Sequence, residues 1–340
     1  MDETPRDAAA PDAEVIGEAV RRACHAPSLH NSQPWRWAFD GTALHLCADF
    51  GRFIQATDRA GRELMLSCGA VLDHLRVAMA GAGWDSVTAR FPDAADLDHL
   101  AGVRFHRSGS VTEAQRRRSD AILRRWTDRL PFAAPAGWPR LEALLRDAVE
   151  PYEVKLDVIR DGDRQSLAEA SRLTESVRHF DVFYQDELRW WTSPFGSGDR
   201  IPQDALVSSS EAARVDIGRV FPPGAETQHG DTIDHDCSKV VVLSTGRDDP
   251  LDVLRCGEAL SAVLLDCTLA GMATCTLTHM IEFAPSRDIV REIVGGDGLP
   301  QLLVRVGESP ATGHHITPAP RRPLADVLEF RRYPGGAAPR

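Results

Sequence analysis

Between Ala26 and Trp37 the chain reads APSLHNSQPWRW. Ser28, His30, Asn31, Ser32 and Gln33 crowd five hydrogen-bonding side chains between prolines and a pair of tryptophans. That density suits the polar edge of a flat ligand, and it also suits a loop that satisfies its own backbone. Farther on, LRRWTDRLPF sets Arg125, Thr127 and Arg129 at alternate positions. In an extended segment alternate residues share a face, so two guanidinium forks would flank a hydroxyl, a grouping suited to a phosphate or an electron-rich carbonyl. An arginine-rich helix end that complements the helix dipole has the same composition. A third basic group, Arg321-Arg322, stands in TPAPRRPL near the end of the chain and is less specific by itself.

The elements that must position these residues are legible from periodicity. EVIGEAVRRAC carries Val15, Ile16, Ala19, Val20 and Ala23 at helical spacing, so the polar loop follows a helix. After it Trp35, Trp37 and Phe39 alternate, Asp40-Gly41 is a two-residue hairpin turn, and Leu44 and Leu46 resume the alternation. GRELMLSCGAVLDHLRVAMAGAGW and LRCGEALSAVLLDCTLAGMATC are apolar on nearly every side, as central helices are. The interval from Cys68-Gly69 to Gly83 equals that from Cys256-Gly257 to Gly271, at an offset of 188 residues (256 − 68). Self-similarity of this kind points to two related halves. Thr112 caps a helix running through ILRRW. Tyr152–Ile159, Ser238–Thr245 and Gln301–Glu308 read as strands, and SLAEASRLTESVRHF as a helix. Trp190 to Asp236 is rich in Ser, Gly, Pro and Asp, too long for an ordinary connector, and a candidate lid. The expected fold is α+β, with central sheets flanked by helices. Its halves are residues 1–108 and 109–340, the second carrying a lid-like insert at about 190–236.

The chain has 340 residues, 43% hydrophobic and 26% charged, with a net charge of -11. That surplus of acid disfavours nonspecific nucleic-acid binding. Lys155 and Lys239 are the lysines among 39 basic residues, so a bound oxyanion would meet guanidinium forks. The acidic start lacks the basic and apolar regions of a signal peptide, and no uninterrupted apolar segment reaches membrane-span length. The expectation is a cytoplasmic enzyme without a membrane partner. Seven cysteines form no CxxC pair and read as reduced core residues. Asp231, Asp234, His235, Asp236 and Cys237 cluster without a standard ligand spacing, so no metal is expected; His314-His315 reads as a solvated loop. No G-x-G-x-x-G fingerprint appears.

APSLHNSQPW resembles the flavin-binding loop of the FMN-dependent nitroreductase family, and Arg125-Trp-Thr127-Asp-Arg129 resembles that family's Arg-x-Ser-x-Arg element with Thr for Ser. The helix leading into GMATCTL, the strand LLVRVG and the basic pair before Pro-Leu follow in the same order. The likeness runs from about residue 14 to 330 and is nearest to the Acg-like, single-chain subgroup of fused halves. Family members are usually homodimers with flavin between subunits. Here each motif occurs once, in opposite halves, which implies an internal pseudo-dimer, a monomer with one FMN.

The resemblance puts Arg125 and Arg321 or Arg322 on the FMN phosphate and Thr127 on the flavin or ribityl chain. It puts Arg129 near N1 and the C2 carbonyl, where a cation would stabilise the two-electron-reduced ring and act as the one catalytic side chain. Ser28, Asn31 and Gln33 would contact flavin from the other half. Many relatives have Pro-x-Glu-Gly where this chain has Thr276-Leu277-Thr278-His279. A backbone amide at Thr278 or His279 would then serve flavin N5, and the bulk of His279 would narrow access. The implied activity is hydride transfer from NADH or NADPH, docked transiently, through flavin to a small-molecule acceptor such as a nitroaromatic or quinone. The alternative is an FMN storage or sequestration protein under a closed lid.

Overall fold

Apolar residues on nearly every face of Arg62–Gly81 and Pro250–Leu269 leave each helix one place to go, the centre of the fold. The computed structural model describes residues 10–193, 199–222, 233–310 and 317–331. Its elements begin with α1 (Ala13–Ala23), β1 (Trp35–Phe39), β2 (Ala43–Ala48), α2 (Arg62–Gly81), β3 (Trp84–Arg90), β4 (His99–Arg107) and α3 (Glu113–Arg124). There follow α4 (Trp138–Val149), β5 (Lys155–Val158), α5 (Arg164–His179), α6 (Val182–Thr192) and α7 (Ser209–Ala212). Then come β6 (Lys239–Thr245), α8 (Pro250–Leu269), β7 (Ala273–Leu277), α9 (Ala284–Ile293) and β8 (Leu299–Gly307), before a terminal α10 (Leu324–Val327) and β9 (Leu328–Phe330).

The strands form two sheets, ordered β3-β4-β2-β1-β9 and β5-β6-β8-β7. With β9 set aside, both follow one connectivity, and in each a 20-residue helix, α2 or α8, joins the second strand to the third. The fold is therefore α+β and built of two topologically matched halves. β9 lies parallel to β1 with Trp37 opposite Leu328, so the last strand completes the first sheet. The second sheet is buried on both faces. Val241, Leu243, Leu302 and Val304 pack toward α4 and α8, while Val240, Val242 and Leu303 pack toward α5 and α9. That is why VVVL is a continuous apolar run and LLVRV is broken only by the buried Arg305, whereas WRWAF alternates.

The halves meet where α2 crosses α8. A Cβ on Gly69 would overlap the Leu254 carbonyl oxygen and lie 2.8 Å from Gly257 Cα; one on Gly257 would overlap the Leu66 carbonyl and lie 2.9 Å from Gly69 Cα. The contact is reciprocal, and its partners keep the 188-residue offset. So do Ser261 and Asp73, joined by a hydrogen bond of 2.5 Å from Ser261 Oγ to Asp73 Oδ2. α2 is long and apolar enough to cross a membrane by composition, but 72% of that window is buried inside the fold.

Local chemistry sets the remaining boundaries. Thr112 and Gln115 form a capping box at the start of α3. Asp40 Oδ1 accepts the backbone N–H groups of Thr42 and Ala43, both at 2.8 Å, closing the β1–β2 hairpin. The strand expected from Tyr152 starts later, at Lys155: Glu150–Tyr152 is a 3₁₀ turn that aims the Tyr152 hydroxyl at Asp73 Oδ1, 2.7 Å away.

Gly257→Ala should lower stability by about 3 kcal/mol, because backbone on both sides cannot recede. Gly246→Ala, with open space around its Cβ, should stay within about 0.5 kcal/mol of the parent. Urea denaturation of both variants decides this.

Candidate functional site

The polar loop after α1 is bent by backbone conformation before any side chain acts. His30, Asn31 and Gln33 have φ values of 51°, 63° and 50°, in the left-handed region that non-glycine residues seldom enter. Ser28 Oγ accepts the Gln33 N–H at 3.0 Å and Ser67 Oγ accepts that of Leu29 at 3.3 Å, tying the loop to itself and to α2. Across it lies the segment around Pro320. Asn31 Nδ2 donates to the Pro320 carbonyl at 2.9 Å, and Asn31 Oδ1 accepts from Arg321 Nη1 at 2.7 Å. Gln33 Oε1 accepts the Arg322 N–H at 3.0 Å. Asn31 and Gln33 thus clasp the C-terminal basic pair.

The two arginines of that pair part company. Arg322 donates to the carbonyls of Gln33 and Trp35 at 3.0 and 3.2 Å and pairs with Asp49 at 3.2 Å. Arg321 turns toward Arg125, which leaves the end of α3. Arg125 Nη2 and Arg321 Nη2 donate to the same carbonyl, that of His25, at 2.9 and 3.3 Å. Neither has a carboxylate partner among the described residues, and the Nε atoms of both are buried without a hydrogen-bond partner. Burial, then repulsion from Arg321, pushes Arg125 down to about 9; burial pushes Arg321 down to about 10. A guanidinium does not give up its proton readily, so this end of the site carries two adjacent buried positive charges. Burial and the same arginines hold His25 at about 4, a neutral imidazole.

From this cationic end a cleft runs inward. Its outer part, about 660 Å³, is lined by Ser28, Asn31, Arg125, Thr127, Arg129 and Arg321. It shares Pro27, Ser28, His30, Thr127 and Arg129 with an inner cavity of about 180 Å³ whose walls are mainly apolar. The outer volume lies within the usual range for small-molecule sites, and an apolar slot with a few convergent polar groups is their usual character. Arg129 stands at the junction, donating to the Ala205 carbonyl at 3.1 Å with its guanidinium 4.9 Å from the Phe221 ring centroid. His30 meets the same ring edge-on, 5.9 Å between centroids, and its Nε2 is buried without a partner.

The described residues of the segment expected as a lid contribute to the walls of the cleft. Ile201, Pro202 and Ala205 line the outer part, and Val207, Val215 and Phe221 the inner. It is anchored on both sides. Glu187 of α6 accepts from Thr57 N and Thr57 Oγ at 2.8 and 2.7 Å, and Arg52 pairs with Asp199 at 2.7 Å. Arg219 donates to the Tyr184 hydroxyl at 2.8 Å and to Thr278 Oγ1 at 3.1 Å and pairs closely with Glu282.

Of the residues expected from sequence, the structure gathers Ser28, Asn31, Arg125, Thr127, Arg129, Thr278 and Arg321 along the cleft. Gln33, Arg322 and His279 line neither part of it. His279 is fully buried behind β7, its Nε2 2.8 Å from Ser171 Oγ, so the narrowing expected from its bulk comes instead from the covering segment. Asp236, from the metal-like cluster, pairs with Arg305 and Arg164 at 3.0 and 2.7 Å. Asp231, His314 and His315 lie outside the described residues. Glu63, Arg219, Phe221 and Arg305 also line the inner cavity. Only Glu63 left a signal in the sequence, as an acid at the head of an apolar helix.

No protein-family model matches the chain. Over 318 residues, 94% of this chain and 96% of the relative, it is 51% identical to the Mycobacterium tuberculosis (strain ATCC 25618 / H37Rv) protein named "Putative NAD(P)H nitroreductase acg". A second protein of that strain bearing the name NAD(P)H nitroreductase, under the same qualifier, is 37% identical over 325 residues, 94% of this chain and 92% of the relative. Among solved structures, an FMN and NADPH-dependent nitroreductase from sphigopyxis sp. strain HMH superposes on 64% of this chain and 99% of its own, at 15% identity and a TM-score of 0.41. The chain belongs to the nitroreductase family. Within it, the chain stands with the Acg-like proteins of M. tuberculosis.

A pH dependence follows from the covering segment. Burial raises Glu175 of α5 to about 7, against the pull of Arg219 and of the Val220 N–H. Between about 4.5 and 7 the folded state keeps a proton that the unfolded state has lost, so this group makes stability fall as pH rises through that window. Glu175→Gln should remove the part of the decline that ends near pH 7, measured by urea denaturation from pH 4.5 to 8.

Proposed function

We propose that the cleft binds one FMN per chain and that the protein is an oxidoreductase, passing hydride from NADH or NADPH through the flavin to a small-molecule acceptor such as a nitroaromatic or quinone. The observation that carries this reading is the uncompensated Arg125–Arg321 pair at the mouth of a slot that turns apolar inward. A mononucleotide has the same two ends, a dianionic phosphate and a flat ring. Both arginines offer buried Nε–H groups that have no partner among the described residues, and a phosphate supplies the acceptors.

Arg125 and Arg321 hold the phosphate, with Asn31 fixing the second of them. Thr127 and Ser28 reach the ribityl chain or ring. Arg129 sets a cation beside the ring system and favours electron gain there. The backbone at Thr278 borders the inner cavity from the β7 side. When bound, FMN supplies the hydride chemistry; the protein binds, orients and shields it. Gln33 and Arg322 act one step back, holding the loop and the C-terminal segment in register. The names of the Acg-like relatives support NAD(P)H as reductant. The matched halves support an internal duplication, divided near residue 108, and a monomer that needs no second subunit to complete the site.

A second reading has its own observation. Phe221 of the covering segment lies against Arg129 and His30, and that segment is tied to the first half by the Arg52–Asp199 pair, a closed arrangement suited to storing FMN without turnover. Anaerobic stopped-flow mixing of the FMN-loaded protein with NADPH and then NADH separates the two. Rapid loss of the visible flavin absorbance establishes a reductase; a protein that stays yellow until a small chemical reductant is added is a store.

Arg125→Met should weaken FMN binding at least about tenfold, the worth of one charge-assisted contact. Arg322→Met should leave the FMN Kd within about threefold while lowering the melting temperature, since its partners are protein carbonyls and Asp49. Fluorescence titration and thermal melts check both.

A further inference from the structure

At the α2 wall of the inner cavity sits an acid that the expected roles leave unused. Glu63, in the first turn of α2, is 3% exposed and lines the cavity beside Leu66 and Ser67. One carboxyl oxygen accepts from Arg62, whose Nη1 is itself held by the Gln301 carbonyl at 2.6 Å. The Asp58 carboxyl stands at the same turn of α2, bound to the backbone of the residue that follows Glu63. Asp58 is 2% exposed; its Oδ2 accepts the Leu64 N–H at 2.8 Å, and its Oδ1 is buried without a partner. Two adjacent carboxyls out of water do not both ionise at ordinary cost. A proton on Glu63 removes one charge and gives Asp58 Oδ1 the donor it lacks. Burial first, then Asp58, raises Glu63 to about 8, with Arg62 pulling the other way. The remaining ionisable groups around the cavity are Arg129, Arg219 from the covering segment, Cys275 on β7, Arg305 on β8 and His30, which burial first and then Arg219 keep neutral.

We propose that Glu63 and Asp58 hold one proton between them and that this proton is a condition of flavin binding. With it, Glu63 presents a neutral carboxyl to the cavity while its O–H is held by Asp58; without it, a pair of carboxylates repels an electron-rich ring edge. The pair thus makes flavin retention depend on pH at the end of the cleft opposite the phosphate. No bond is made or broken, and the proton stays with the pair or returns to water. This inference rests on the FMN reading, yet its first half is testable on the flavin-free protein.

Infrared difference spectra of the flavin-free protein at pH 7 should show the carbonyl band of a protonated carboxyl that vanishes in Glu63→Gln. Absence of that band overturns the proposal. In FMN titrations at pH 6.5 and 9.5, the parent should lose at least about tenfold more affinity with rising pH than Glu63→Gln, which stays neutral throughout. Because Arg125 and Arg321 are common to both proteins, any loss on their account cancels in the comparison. Equal losses in the two overturn the flavin half. Should Glu63→Gln fail to fold, Asp58→Asn serves: without the neighbouring charge the break in affinity moves to lower pH, and an unmoved break overturns the pairing. If neither protein binds FMN at any pH, the FMN reading itself falls and takes the flavin half with it, whereas the infrared band still decides the shared proton.

Discussion

Everything in this molecule is arranged around the approach of α2 to α8, and that approach is possible because two glycines meet. A side chain at either position would strike the carbonyl of the opposite helix, so the helices could not come close enough for Ser261 to reach Asp73 or for Tyr152 to close over it. The site inherits its geometry from this contact. α2 carries Glu63, Leu66 and Ser67 to one wall of the inner cavity, and α8 carries Leu260 to the same wall. The loop after α1 is tied to α2 through Ser67, so the helix crossing sets where the loop stands.

A second constraint is electrostatic. Arg125 and Arg321 are driven together by the chain, one from the end of α3 and the other from the segment before α10, and they share a backbone carbonyl in place of a carboxylate. Several other enclosed arginines are neutralised. Arg305 has Asp236, Arg219 has Glu282, and the half-buried Arg90 sets a bidentate fork on the fully buried Glu258. A fold that neutralises these cations and leaves two adjacent ones bare concentrates its unmet demand for negative charge at one place.

Much of this was legible in the sequence, and what was missed has physical reasons. Helices with strong periodicity, the Asp40-Gly41 hairpin and the Thr112 cap show themselves because their signals are local. The 188-residue echo showed because the glycine contact constrains both helices in the same way. The basic residues were recognisable by type, but choosing between Arg321 and Arg322 required knowing which carbonyls lay within reach, and these belong to residues distant in sequence. Gln33 looked like a ligand contact because its chemistry suits one; in the fold the same amide is consumed by the Arg322 backbone. His279 was judged by its size, while its direction is set by Ser171 on α5, a helix from another part of the chain. Phe221 and Arg219 lie in a segment without periodicity, where sequence carries little information about contact.

The two matched halves differ at the places that their symmetry relates. α4 stands before β5 as α1 stands before β1, so the turn Glu150–Tyr152 occupies the place of the polar loop. That turn holds a glutamate, a proline and a tyrosine in place of serines and amides, and its tyrosine donates inward to Asp73. Close by, Glu258 on α8 is filled by Arg90 and approached by Arg76. At this second position Glu258, Asp73 and Tyr152 all have partners within the protein, and an anion arriving there would meet two buried carboxylates. At the first position the buried Nε–H groups of Arg125 and Arg321 have no partner among the described residues. The halves share a scaffold, and the distribution of unpaired charge decides which of them offers a site.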